Sequence, residues 1–178
     1  MTNHGQYSGS ALDMIVDSDG VGYSCSSNGS DVNLHTFHTN GSTDVKLVDS
    51  WSSGASDDCA IAISGEKRIQ IVYNHDDDLR LARLAEPNAV YAEKTWHLRT
   101  IAEDVYDSGL TINFDTESKS HILFKDLESQ LSHLSFNKAY WNHTVLDYGP
   151  VGSDIEVQID ENDMFHVVYT NTQLGDIQ

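Results

Sequence analysis

An enzyme that grips a substrate carboxylate does so with several arginines converging from different directions, because the planar guanidinium matches two oxygens with two parallel donors. This sequence holds four, Arg68, Arg80, Arg83 and Arg99, clustered in one stretch. Within one chain they cannot surround a shared axis. Acids are abundant instead, 28 Asp and Glu against 10 Lys and Arg. Glycoside hydrolysis needs two carboxylates about 5 to 10 Å apart, and this many acids supply such pairs by chance. An acid here is therefore read first as a solvated charge. Two Asp-rich stretches, DSDG at 17–20 and NHDDD at 74–78, have the oxygen density of a calcium loop. They also have the composition of tight turns, so no cofactor is expected and Ca²⁺ is kept only as the less favoured reading. Nine histidines include no pair at ligand spacing with acidic or thiol partners. Cys25 and Cys59 are too few for a disulfide scaffold and match no metal motif, and they are read as two buried free thiols rather than a bridge or a reactive site.

The formal net charge is −18, with the acids dispersed along the chain. Such a surface repels phosphate backbones and anionic headgroups, which argues against nucleic-acid and membrane-surface binding. No run of about 18 apolar residues exists to form a spanning helix. The first residues, MTNHGQYSGS, lack the basic and apolar regions of a signal peptide, yet the charge suits an extracellular or cell-surface setting, including a salty or marine one. With 178 residues and 39% apolar content, the chain is long enough for one well-buried domain.

The elements that must position these groups read as strands, and they repeat. Four segments, LDMIVDSDGVGYSCSSN, AIAISGEKRIQIVYN, LTINFDTESKSHILFKD and VQIDENDMFHVVYT, each read strand, turn, strand. Their first strands close at Asp17, Ser64, Asp115 and Asp160, at intervals of 47, 51 and 45 residues. Counting back by one, three and five gives Val16, Met14, Leu12; Ile63, Ile61, Cys59; Phe114, Ile112, Leu110; and Ile159, Val157, Ile155. All these positions are apolar, the period of a strand with one buried face. In the second strands, Tyr23, Gln70, His121 and His166 share a column, which predicts a repeated structural role rather than metal ligation. Third strands follow in DVNLHTF, DLRLARL and QLSHLSF, and fourth strands in DVKLVD, TWHLRTIA and YWNHTVLD. Four short antiparallel strands per repeat of about 45 residues is the arithmetic of a β-propeller blade.

The quoted blades, with WNHTVLD, GSDIEVQID, FHVVYT and LGDI in the last, resemble the repeats of sialidase-like, or BNR-like, β-propeller proteins. The Asp-box pattern S-x-D-x-G-x-T-W is absent, and the arginines do not fit sialidase chemistry, so the resemblance speaks to fold rather than to reaction. It implies an all-β propeller with four blades, at about 9–49, 57–102, 108–147 and 153–178, the last one incomplete. An open ring leaves unpaired edges, so the expectation is a fragment of a longer propeller or a two-fold dimer with about eight blades.

Loops from each outer strand to the next inner strand line one face of a propeller. Here they hold Trp51, Tyr106 and Tyr148, with Tyr7 in the first copy and Asp57, Asp58, Asp107 and Asp154 nearby. Aromatics around a shallow cavity suit stacking on sugar rings, with the acids accepting hydroxyl hydrogen bonds. The competing reading, that they wedge between blades, is favoured by their unequal offsets. The sequence thus leads to a non-catalytic binding or scaffold module, carbohydrate-binding if it has a ligand. A propeller-type glycoside hydrolase or lyase with a site formed on assembly is the alternative, and a fragment without a ligand is the third reading.

Overall fold

The computed structural model describes residues 11–52, 58–84, 96–137, 139–173 and 175–178. Among them every regular element is a β-strand. β1 (Ala11–Val16), β2 (Gly22–Ser27), β3 (Asp31–Phe37) and β4 (Thr43–Ser50) form an antiparallel meander in chain order, blade 1. Blade 2 repeats it with β5 (Cys59–Ile63), β6 (Ile69–His75), β7 (Asp78–Leu84) and β8 (Trp96–Ala102). Blade 3 consists of β9 (Val105–Phe114), β10 (Ser120–Asp126), β11 (Leu131–Phe136) and β12 (Trp141–Asp147). Blade 4 has three strands, β13 (Val151–Ile159), β14 (Phe165–Asn171) and β15 (Asp176–Ile177).

The turn that starts each blade is built by the residue closing its first strand. Asp17, Asp115 and Asp160 each accept backbone N–H groups from the residues two and four positions on, at 2.8 to 2.9 Å. In blade 2 the hydroxyl of Ser64 accepts only the second, from Arg68 at 3.2 Å. A side chain that replaces strand hydrogen bonds in this way ends the strand and sets the hairpin. The outer strand pairs of blades 1 to 3 share a register shift, between Val32 and Asn33, Leu79 and Arg80, and Leu131 and Ser132. A bulge at the same place in each copy twists the blade edge alike.

The blades stack face to face, with their first strands side by side, and the core lies between them in three slabs. Cys25, Leu34, Ile61 and Ile71 fill the first, Val72, Leu79, Ile112 and Ile122 the second, and Leu123, Leu131, Val151 and Val157 the third. Full burial of each such side chain contributes roughly 1.5 to 3 kcal/mol. Polar links join neighbouring first strands. The Asp13 carboxylate accepts Ile61 N–H at 2.9 Å, Asp58 accepts Gly109 N–H at 2.9 Å, and Asn113 donates to the Val157 carbonyl at 3.3 Å. Gly109 has a φ of +81° and a Cβ there would stand 2.9 Å from the Ser153 carbonyl oxygen, so a side chain has neither the dihedral nor the space.

Two features correct or sharpen the sequence reading. Cys25 and Cys59 are buried as expected, but they form a disulfide rather than two free thiols, with Cα atoms 6.3 Å apart. Cys25 points toward the following blade and Cys59 toward the preceding one, so the pair meets across the slab between blades 1 and 2. The row of blades is also open at both ends. In the column of Ile61, Ile112 and Val157, all buried, Met14 is 60% exposed. In the column of Cys25, Val72 and Leu123, also buried, Val168 is 51% exposed. The first face of blade 1 and the last face of blade 4 have no blade against them among the described residues.

Candidate functional site

The residues singled out by loop position do not gather in one place. Trp51 is partly buried between blades 1 and 2, its indole N–H donating to the Gly29 carbonyl at 3.0 Å. Its ring stacks on Tyr73 with centroids 6.1 Å apart and tilts against His75 at 4.2 Å. This is the wedge role. Tyr106 is exposed under the Lys125 ammonium, 3.9 Å from its ring centroid, and Tyr148 is exposed. Asp57 and Tyr7 lie outside the described residues, and Asp107 lies in β9. Asp58 and Asp154 do share a depression of about 390 Å³, with Glu156 beside them. Burial raises the carboxyls of Asp58 and Glu156 above their ordinary range, opposed at Asp58 by the N–H groups it accepts and reinforced at Glu156 by Asp13. Asp58 thereby serves the seam between blades 2 and 3.

The Asp-rich turns also have internal uses. Besides its two backbone donors, Asp17 accepts from the Tyr23 hydroxyl at 3.4 Å, and Asp19 pairs with Lys67 of the next blade. The Tyr23 column follows one rule. His121 donates to Asp115 at 3.2 Å and His166 to Asp160 at 3.3 Å, each ring reaching back to the residue that closes the preceding strand. Blade 2 has Ser64 there, and Gln70 turns instead to the next blade, accepting from the Ser120 hydroxyl at 2.7 Å in a buried bond.

Gln70 and Ser120 line a cleft of about 250 Å³ between blades 2 and 3. Cross-strand pairing explains its contents. Ala62, Gln70, Arg83 and His97 form one row across blade 2, and Ala60, Val72, Leu81 and Arg99 the next. Each row is apolar or neutral near the centre and cationic or polar at the rim. Blade 3 supplies the far wall, where Phe136 is paired with Trp141 and their rings lie 5.2 Å apart, tilted by 46°. Arg83, Arg99, His97, Gln70 and Trp141 all line the cleft, and among the described residues no acid does. The other two arginines are engaged elsewhere. Arg80 pairs with Asp49 at 2.7 Å and Arg68 with Glu66 at 2.5 Å. Loop-based reasoning missed this cleft because it belongs to strand faces of two different repeats. The signal was present in the columns: Arg83 aligns with Thr36 and Ser135, and Arg99 with Lys46 and Thr144.

No protein-family model matches the sequence, and no curated protein does. Solved structures do match in fold. A lectin of Aleuria aurantia, in complex with α-methyl-L-fucoside, superposes over 94% of this chain with a TM-score of 0.63 at 13% identity. An α-L-arabinofuranosidase from Clostridium thermocellum superposes over 92% with a TM-score of 0.57 at 10% identity. A Dyadobacter fermentans protein of unknown function superposes over 89% with a TM-score of 0.66 at 11% identity. The chain spans 55%, 61% and 48% of these proteins respectively. The lectin and the arabinofuranosidase are propellers, and the likeness places this chain in the propeller architecture. At such identities it extends no further than fold.

Proposed function

We propose that this chain is a non-catalytic, carbohydrate-binding propeller module. The observation that carries the proposal is the cleft between blades 2 and 3. An aromatic pair there stands opposite forked and amide side chains, the combination that stacks on the apolar face of a sugar while bonding its hydroxyls. Fold likeness to a fucoside-binding lectin supports the same class of ligand. A glycan array with the full chain is expected to give binding that Trp141→Ala reduces at least ten-fold, without product release from a polysaccharide panel. Turnover of any polysaccharide overturns the non-catalytic reading. One observation favours that second reading, a propeller-type glycoside hydrolase: Asp58, Asp154 and Glu156 line a single depression, two of them with raised carboxyl pKa values.

We further propose that the open row of blades is completed by a second copy of the chain, giving a ring of about eight blades. The exposed apolar residues at both ends support this, because each would occupy a column buried elsewhere in the molecule. An extracellular or cell-surface setting is proposed as well. The cross-blade disulfide belongs to oxidising compartments, and among the described residues no helix is long and apolar enough to cross a membrane.

A further inference from the structure

We infer that the cleft between blades 2 and 3 takes an acidic saccharide, one whose carboxylate or sulfate is gripped by Arg83 and Arg99 while a sugar ring lies against Trp141. This deepens the carbohydrate-binding reading and rests on it. Three observations converge. First, the two arginines stand on one face of neighbouring strands, Arg83 opposite His97 and Arg99 opposite Leu81, which sets the guanidinium groups on a diagonal. Like charges placed this close on a sheet repel. Among the described residues neither has an ion-pair or hydrogen-bond partner, in a chain with 28 acids available. An oxyanion between them removes that repulsion and satisfies both forks.

Second, the repeat supplies its own control. The equivalent positions are Thr36 and Lys46 at the slab between blades 1 and 2, and Ser135 and Thr144 at the slab between blades 3 and 4. Both slabs pack without an arginine pair, so blade stacking does not require one. Third, the overall charge of −18 does not forbid an anion here. Charges beyond about 8 Å are largely screened at physiological ionic strength, and among the described residues no acid lines the cleft. Two other depressions have acidic walls among the described residues, with Glu103, Asp104, Asp126 and Glu128 in one and Asp58, Asp154 and Glu156 in the other. Arg83 and Arg99 thus make a local exception in an anion-repelling surface, and Trp141 beside them supplies the stacking platform that a bare ion does not need.

Isothermal titration of the full chain tests this with four probes: trigalacturonate, a sulfated galactose disaccharide, neutral galactotriose and sodium acetate. At least one acidic saccharide is expected to bind ten-fold or more tightly than galactotriose, with the advantage shrinking as NaCl rises from 50 to 500 mM. The carboxylate and sulfate arms identify which oxyanion is held. Arg83→Gln and Arg99→Gln are each expected to lose ten-fold or more in affinity for that saccharide. Their affinity for galactotriose should stay within about two-fold. Arg83→Lys keeps the charge without the fork, and an intermediate loss is expected; it also serves where a Gln variant fails to fold. Equal affinity for acidic and neutral sugars, or arginine variants that bind the acidic sugar normally, overturns the inference while leaving carbohydrate binding in place. Acetate binding as tightly as trigalacturonate overturns it too, since the ring then contributes nothing. If neither kind of saccharide binds, the carbohydrate reading itself falls, and this inference with it.

Discussion

At the scale of single residues the chain repeats a polar lock and then shows what happens without it. Tyr73 donates to Asp49 at 2.6 Å, and the same carboxylate accepts from Arg80. Two blades on, Tyr169 donates to Asp147 at the equivalent place. Between them the tyrosine column holds Phe124 and the aspartate column holds Ala102, and both join an apolar slab. The lock therefore comes and goes as a pair, as expected if the cost of a buried, unmatched polar group exceeds the net gain from the bond. Asp49→Ala should destabilise by about 2 to 3 kcal/mol, since it strands a buried hydroxyl and a guanidinium. Adding Tyr73→Phe should recover part of that loss, because it removes the hydroxyl left without its partner. Chemical denaturation of the single and double variants checks this, and additive losses would contradict it. A second residue-scale expectation concerns His133. Its pKa is lowered to about 4 by burial and by the facing rings of His121 on β10 and His143 on β12. Nδ1 of His121 lies 3.1 Å from it, and Phe165 of blade 4 closes over both rings. The unfolded chain takes up this proton near pH 6.5. Below that value the unfolded state binds more protons, so stability should fall as pH drops from about 6.5 to about 4 and then level off. The carboxylates of Asp17, Asp147, Asp160 and Asp163, lowered mainly by hydrogen bonds, act only further down, below their ordinary range. Thermal midpoints between pH 7 and 4 should therefore decline in the wild type and decline less steeply in His133→Gln, where His35, lowered by its own burial, still contributes.

At the scale of strands and blades, the disulfide is the main covalent constraint. It closes a loop with a sequence separation of 34, for which the chain-entropy estimate is about 4 kcal/mol. Reduction, or Cys25→Ala with Cys59→Ala, should lower the denaturation midpoint accordingly while leaving far-ultraviolet strand signal intact. A midpoint insensitive to reductant would contradict the bridge. This constraint was hidden in the sequence for an understandable reason. Period-two alternation shows which residues share a face, and it gave the first-strand columns and the turn anchors, because blades 2 to 4 bury the same side. It does not show which neighbour that face meets. Only when Met14, Ile61, Ile112 and Val157 are known to face the preceding blade does Cys59, two residues before Ile61, come to lie against Cys25. Blade 1 shows the converse. YSCSSNGS has few apolar residues, yet β2 is fully formed, its apolar shortfall met by the disulfide and by a buried bond between Ser26 and His35 at 2.8 Å. The candidate cleft was hidden for the same reason as the disulfide. Arg83, Arg99 and Trp141 stand not on loops but on strands whose faces converge only after blades stack.

At the scale of the whole molecule the open row of blades raises the question of what covers its ends. Met14 and Val16 at one end, and Val168 and Ile177 at the other, are exposed hydrophobics on strands. Their counterparts in blades 2 and 3 are largely buried between sheets. Single exposed apolar residues are ordinary, but whole faces with strand edges beside them are association surfaces. A second copy of the chain fits without new chemistry, since the last face of one copy would meet the first face of the other. Two-fold symmetry then closes both gaps with two identical contacts. Light scattering at micromolar concentration is therefore expected to give a dimer. Val168→Lys, which sets a charge in that contact, should yield monomers with an intact circular-dichroism spectrum. The cleft between blades 2 and 3 lies within one copy, so monomers should keep their saccharide affinity while losing avidity on a multivalent glycan surface. A wild-type protein that stays monomeric at these concentrations would refute the trans-completed ring, leaving the internal cleft to stand or fall on its own titrations.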